Sequence, residues 1–207
     1  HVRDARNGFE AEMEASMTSD DLIARTGERM AWLKPHMRGR SRWTAAITIP
    51  AGAATPTRLT ALQLRSDLVG TTLDLPAPMD KPAGTALPTR VDIALPLGKG
   101  EIGVALGERV AVRVREADGQ TGIRAAFGTD RIAEAPPASG LVLTGSAPVL
   151  DALPWITLLR GDGNGSGLPL RRIDVRTDRL VLLGGVFEAT GIRVLPATAE
   201  SLAVQLE

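Results

Sequence analysis

Residues 91–127 read VDIALPLGKGEIGVALGERVAVRVREADGQTGIRAAF. Apolar side chains recur at every second position: Val91, Ile93 and Leu95, then Ile102, Val104 and Leu106, then Val110, Val112 and Val114. Asp92 and Arg113 fall between them, and Arg115 follows the last. A period of two marks a strand with one dry and one wet face. Gly98-Lys99-Gly100, Gly107-Glu108 and Asp118-Gly119 punctuate the runs. Asp-Gly between two alternating runs predicts a tight hairpin. Strands of this kind build antiparallel sheets with one solvated side. The stretch therefore predicts a mainly β chain, a meander of hairpins and not βαβ units.

The same pattern extends outward in both directions. Phe9, Met13 and Met17 alternate with acids on the N-terminal side, and Trp43, Ile47 and Ile49 with Arg42, Thr44 and Thr48. Leu62 and Leu64 follow, and beyond the opening stretch come Ile123, Phe127, Leu141 and Leu143. Further strands are expected over 172–177, 180–183, 186–189, 191–195 and 202–206. Two helical segments interrupt the strands. Over 19–34, Ser19 is placed to cap a helix whose first turn holds Asp20 and Asp21, and Pro35 stops it. Over 149–159, Leu150, Leu153, Ile156 and Leu159 are in helical phase, with Pro154 shortening or breaking the helix. Residues 76–88 form a proline-rich loop and 161–167 (GDGNGSG) a glycine-rich one. No domain boundary interrupts this style.

Composition removes several classes of chemistry. The 207 residues are enough to bury a core, and they contain no cysteine, so disulfides and thiolate chemistry are absent. Lys+Arg and Asp+Glu are both 24, which gives no long-range attraction to nucleic acid. His36 is the one internal histidine, in a basic stretch that reads as a solvated loop. No serine elbow, Walker loop or metalloprotease motif is present. Asp162, Asn164 and Ser166 imitate the start of a calcium loop, but Ile173 stands where its bidentate glutamate belongs. The bases are 21 Arg to 3 Lys. Arg109, Arg113 and Arg115, and later Arg171, Arg172, Arg176 and Arg179, read as solvated strand faces, with a phosphate-contacting rim as the other reading. No run approaches the roughly 20 apolar residues of a membrane helix. The chain opens on His1 with no signal-peptide pattern, and it is expected to be part of a longer product.

About a dozen one-sided strands and two short helices leave a physical problem. Either two sheets close on each other as a sandwich, or one curved sheet holds an apolar trough. A trough of that size needs an apolar occupant such as acyl chains.

Residues 64–81, LRSDLVGTTLDLPAPMDK, carry a more specific pattern. Ser66, Asp67, Leu68 and Gly70, then Leu75, Pro76 and Pro78, then Lys81 resemble the signature of the YhdP family of bacterial envelope proteins, in the AsmA-like superfamily with TamB. A basic glycine turn leading to Trp43, the strand 140–145, and Asp151 with Trp155 are similar in the flanks. The resemblance implies a strongly curved antiparallel β-sheet meander, one segment of a long periplasmic protein held in the inner membrane by an anchor outside this segment. It implies that apolar positions from Phe9 to Leu143 line a groove for phospholipid acyl chains moving toward the outer membrane. Flanking segments of the same chain are the implied protein partners. The family has no catalytic residues or cofactor to carry over, and nucleic acid is not a partner. A self-contained β-sandwich acting as an envelope scaffold or protein-binding module is the alternative. A carbohydrate-active domain fits less well, because aromatics are 3% of the residues.

Overall fold

A computed structural model describes residues 2–5, 8–26, 32–50, 61–95, 100–160, 169–196 and 202–207. In chain order these form β1 (Val2–Ala5), β2 (Gly8–Thr18), α1 (Ser19–Thr26), β3 (Met37–Pro50), β4 (Ala61–Ser66), β5 (Thr71–Leu73), β6 (Thr89–Ala94), β7 (Ile102–Leu106), β8 (Val110–Ala117), β9 (Gln120–Phe127), β10 (Gly140–Asp151), α2 (Ala152–Arg160), β11 (Leu170–Leu182), β12 (Gly185–Pro196) and β13 (Leu202–Leu206). The strands make one open, curved mixed sheet in near-sequential order, and β5 pairs separately with the start of β3.

Hairpins dominate because the turns favour them. Asp118 and Gly119 both adopt positive φ (53° and 71°), the geometry that matches strand twist. Leu183-Gly184 turns the same way between β11 and β12 (52° and 81°), although leucine gives no sequence cue for it. The departure from the expected antiparallel order is β10, which runs parallel to both β9 and β11. Parallel neighbours need crossovers. One is the connection 128–139. The other includes α2.

The helices depart from expectation in the cap of α1 and the start of α2. Thr18, and not Ser19, caps α1: its Oγ1 accepts the Asp21 N–H (3.1 Å), and Asp21 Oδ2 accepts the Thr18 N–H (3.2 Å). This is a reciprocal capping box. The Ser19 hydroxyl instead donates to the Gly39 carbonyl (3.2 Å). Of the helix expected over 19–34, α1 occupies Ser19–Thr26, and 27–31 lie outside the described residues. At α2, Val149, Leu150 and Asp151 stay paired with β11, so the helix starts at Ala152. Pro154 then falls in its first turn, where a missing N–H costs nothing. The GDGNGSG loop lies outside the described residues.

The polar face is partly covered. The crossover 128–139 lies on it, held by arginine: Arg113 Nη1 donates to the carbonyls of Ile132 (3.1 Å), Ala133 (2.9 Å) and Glu134 (2.9 Å), and Arg124 Nε to Ala135 (2.8 Å). A Cβ at Gly122 would stand 1.7 Å from the Pro137 carbonyl oxygen, so the crossover lies directly on the strand. Arg113, read from sequence as part of a solvated face, instead clamps backbone. It also pairs with Glu101.

Candidate functional site

Register places the apolar side chains of successive strands side by side. Met13 is opposite Ala45, then follow Leu64, Val91, Val104, Val112, Ala125, Leu143, Ile173, Val194 and Val204, each opposite the next. This row crosses eleven strands, from β2 to β13, without a polar residue. At about 4.8 Å per strand it runs for roughly 48 Å. A second row links Ile47, Leu62, Ile93, Ile102, Val114, Ile123 and Leu141. A third links Leu106, Val110 and Phe127 and continues through Gly145 to Val175 and Ile192.

Coverage of this face is unequal. Over the second row it is open: Leu62, Ile93, Ile102, Val114, Ile123 and Leu141 are half-buried, Ile47 is 36% exposed, and Met13 at the edge of the first row is 67% exposed. Val91, Val104, Val112, Leu64, Leu143, Met17, Leu106 and Leu95 are half-buried. Phe9 and Ile49 lie in paired strands, but outside the described side chains. Trp43, Val110 and Phe127, expected along the open trough, are covered by protein (6, 7 and 5% exposed). The covering elements are α1, α2 and the segment 67–88, which together plug one end of the face. Leu75, Met79 and Trp155 join Val110, Phe127, Leu150, Val175 and Leu180 in one cluster. Leu68, Leu73 and Leu87 join Trp43 in another, against Met17, Leu22, Met37, Leu64 and Val91.

The residues that resemble a family signature build this plug. The Ser66 hydroxyl donates to the Arg42 carbonyl (2.6 Å) and accepts the Leu68 N–H (3.0 Å). Asp67 Oδ1 accepts the Val69 N–H (2.9 Å), tightening the turn. Leu68 takes φ 51° and is 2% exposed, so the turn drives its side chain into the cluster. Gly70 (φ 92°) meets the Gly39 and Arg40 backbone, where a Cβ would stand 2.2 Å from the Arg40 carbonyl oxygen. Lys81 is 1% exposed and donates from Nζ to the carbonyls of Leu68 (2.9 Å), Thr71 (2.7 Å) and Pro82 (3.0 Å). All three ammonium protons are used. Burial holds its pKa below the ordinary 10.5, Asp67 opposes that, and Arg109 adds to it.

Two further side chains fasten the segment. Arg109 Nη1 donates to the carbonyls of Pro78 (3.2 Å) and Asp80 (2.8 Å), and Trp155 Nε1 to that of Ala77 (2.8 Å). Trp155 also packs edge-on to Phe127, with centroids 6.1 Å apart. The cis peptide Ala77-Pro78 lies between these anchors. Sequence reading placed Pro76–Pro88 as a loop and Arg109 on a strand face. It had no signal for a contact spanning 78 residues. The groove positions it named stop at Leu143; beyond them Ile173, Val175, Ile192 and Val194, in strands it did expect, are buried in the covered cluster.

Other chemistry is sparse. His36 Nδ1 is 2.9 Å from the Asp74 carbonyl oxygen. Among the described residues no group of three His, Asp or Glu side chains is placed to hold a metal ion, and no helix is long and apolar enough to cross a membrane. The family described as YhdP protein matches residues 3–207. No curated protein and no solved structure matches the chain.

Proposed function

The chain belongs to the YhdP family, and from that premise we propose that it shields phospholipid acyl chains on its open apolar face. It acts as a non-enzymatic segment of a conduit through the bacterial periplasm. The family is one of envelope proteins. The observation that carries the reading is the unbroken apolar row from β2 to β13, flanked by a second row whose described side chains are half-buried or exposed. Each methylene taken from water by such a face is worth about 0.8 kcal/mol. Aliphatic walls supply this without fixing the chain's position, which suits a sliding occupant. The scaffold reading needs a second sheet to close on the first. Among the described residues the strand outside the main path is β5, three residues long and paired to β3.

Native mass spectrometry of gently purified protein tests the proposal. Phospholipid adducts are expected. Ile93→Asp or Ile102→Asp puts a charge among the tails and should reduce retained lipid at least tenfold, with the far-ultraviolet dichroism unchanged. Lipid-free wild-type protein, or retention indifferent to both substitutions, overturns the reading.

A further inference from the structure

The opposite face carries a separate feature. At the strand ends beside the plug, Thr44, Arg65, Arg90 and Ala105 floor an open basin of about 870 Å³. The turn after β7 and Asp130 of the crossover wall it. Arg65 and Arg90 are directly opposite each other across the β4–β6 pair, and Arg42 is on the diagonal, two residues before Thr44, which faces Arg65. Like charges facing each other on a sheet destabilise it, and diagonal positions are within reach of long side chains.

Among the described residues, most of the other guanidinium groups are engaged. Arg109, Arg113 and Arg124 hold backbone carbonyls, while Arg172 and Arg193 pair with Asp174. Arg90 leans on Asp92 (2.9 Å). Arg42 and Arg65 have no side-chain partner among the described residues, and both are exposed. The nearby carboxylates are differently engaged: Asp67 accepts the Val69 N–H, and Asp130 is 3.6 Å from Arg131. Glu108 is on the outer rim, exposed.

We infer that Arg42, Arg65 and Arg90 form an oxyanion site on the polar face that takes a phosphate group. A guanidinium fork matches phosphate oxygens two at a time, and a bound phosphate turns the Arg65–Arg90 repulsion into shared attraction. The site uses no acyl chain, so it stands whether or not the apolar face carries lipid. The phosphate belongs either to a free phosphomonoester or to a lipid headgroup.

Two titrations separate these sources: inorganic phosphate followed by calorimetry, and co-sedimentation with phosphatidylcholine vesicles carrying phosphatidic acid. The test variant is Arg42→Gln/Arg65→Gln. The control is Arg176→Gln/Arg179→Gln, an exposed pair on β11, five strands along the sheet from β6. Thermal melts establish that both are folded. Charge-assisted contacts predict that the test pair weakens binding roughly tenfold or more, with the control unchanged. That pattern with inorganic phosphate supports a site for free phosphate. The pattern in the vesicle arm alone supports a headgroup site. Silence in both arms, or equal loss in test and control variants, overturns the inference.

Discussion

Near Phe127 the apolar face lies under protein, whereas over Ile93, Ile102 and Val114 the same face is open. Alternation does not separate the two regions, since both are aliphatic, period-two and in register. The difference is polar. A segment can lie across an apolar sheet only if its own backbone groups are satisfied. Lys81, Arg109 and Trp155 do this for 67–88, through six carbonyl contacts: three from Lys81 within the segment, two from the turn before β8 and one from α2. Nothing comparable among the described residues reaches over the second row. Covering an apolar face with irregular chain therefore depends on buried donors more than on apolar residues.

Truncation should separate the regions most sharply. Phe127→Ala removes a ring from a full cluster and should cost roughly 3–5 kcal/mol. Val114→Ala, on the half-buried row, should cost about 1 kcal/mol or less. Denaturant unfolding of the two variants checks this, and equal losses would break the comparison.

The next effect concerns the plug's anchor. Lys81→Met keeps bulk and removes three donors, leaving the Leu68, Thr71 and Pro82 carbonyls short of a partner. The expected loss is about 2–3 kcal/mol. The reciprocal amide bonds between Leu73 and Lys81 (both 2.9 Å) should exchange with solvent faster, while β8–β9 amides keep their protection. Unchanged exchange at Leu73 would show that Lys81 does not hold the segment.

The smallest effect lies on the polar face, away from both regions. Arg172 hydrogen-bonds Asp174 and, with Arg193, holds its carboxyl below the ordinary 3.8. The folded state therefore releases this proton more readily than the unfolded chain does. The stabilisation is full above about pH 4 and is lost as pH falls through the lowered value. Asp174→Asn should flatten that acid limb of the unfolding midpoint, by lowering stability slightly at neutral pH and leaving it unchanged at the acid end. An unaltered acid limb would remove Asp174 from the account.

How much was legible follows from the range of each interaction. The hairpins and the sidedness of β2 to β9 could be read directly, because alternation and turn chemistry are local. The Asp118-Gly119 turn is such a case, and Leu183-Gly184 shows the limit, since the register there makes a tight turn from an unfavoured residue. The parallel placement of β10 was not legible, because it depends on crossovers and not on the strand's own pattern. Residues 64–81 stood out as a motif, yet their spacing did not say that Lys81 would end beneath three carbonyls.

The sequence by itself determined a mainly β chain of one-sided strands with no evident catalytic equipment, because side-chain period and composition are properties of the chain alone. Only the tertiary structure decided which part of that face the protein covers for itself. Closing the plug joins donors and carbonyls up to 78 residues apart, and such pairings form only once the curved sheet has brought both partners to the same end.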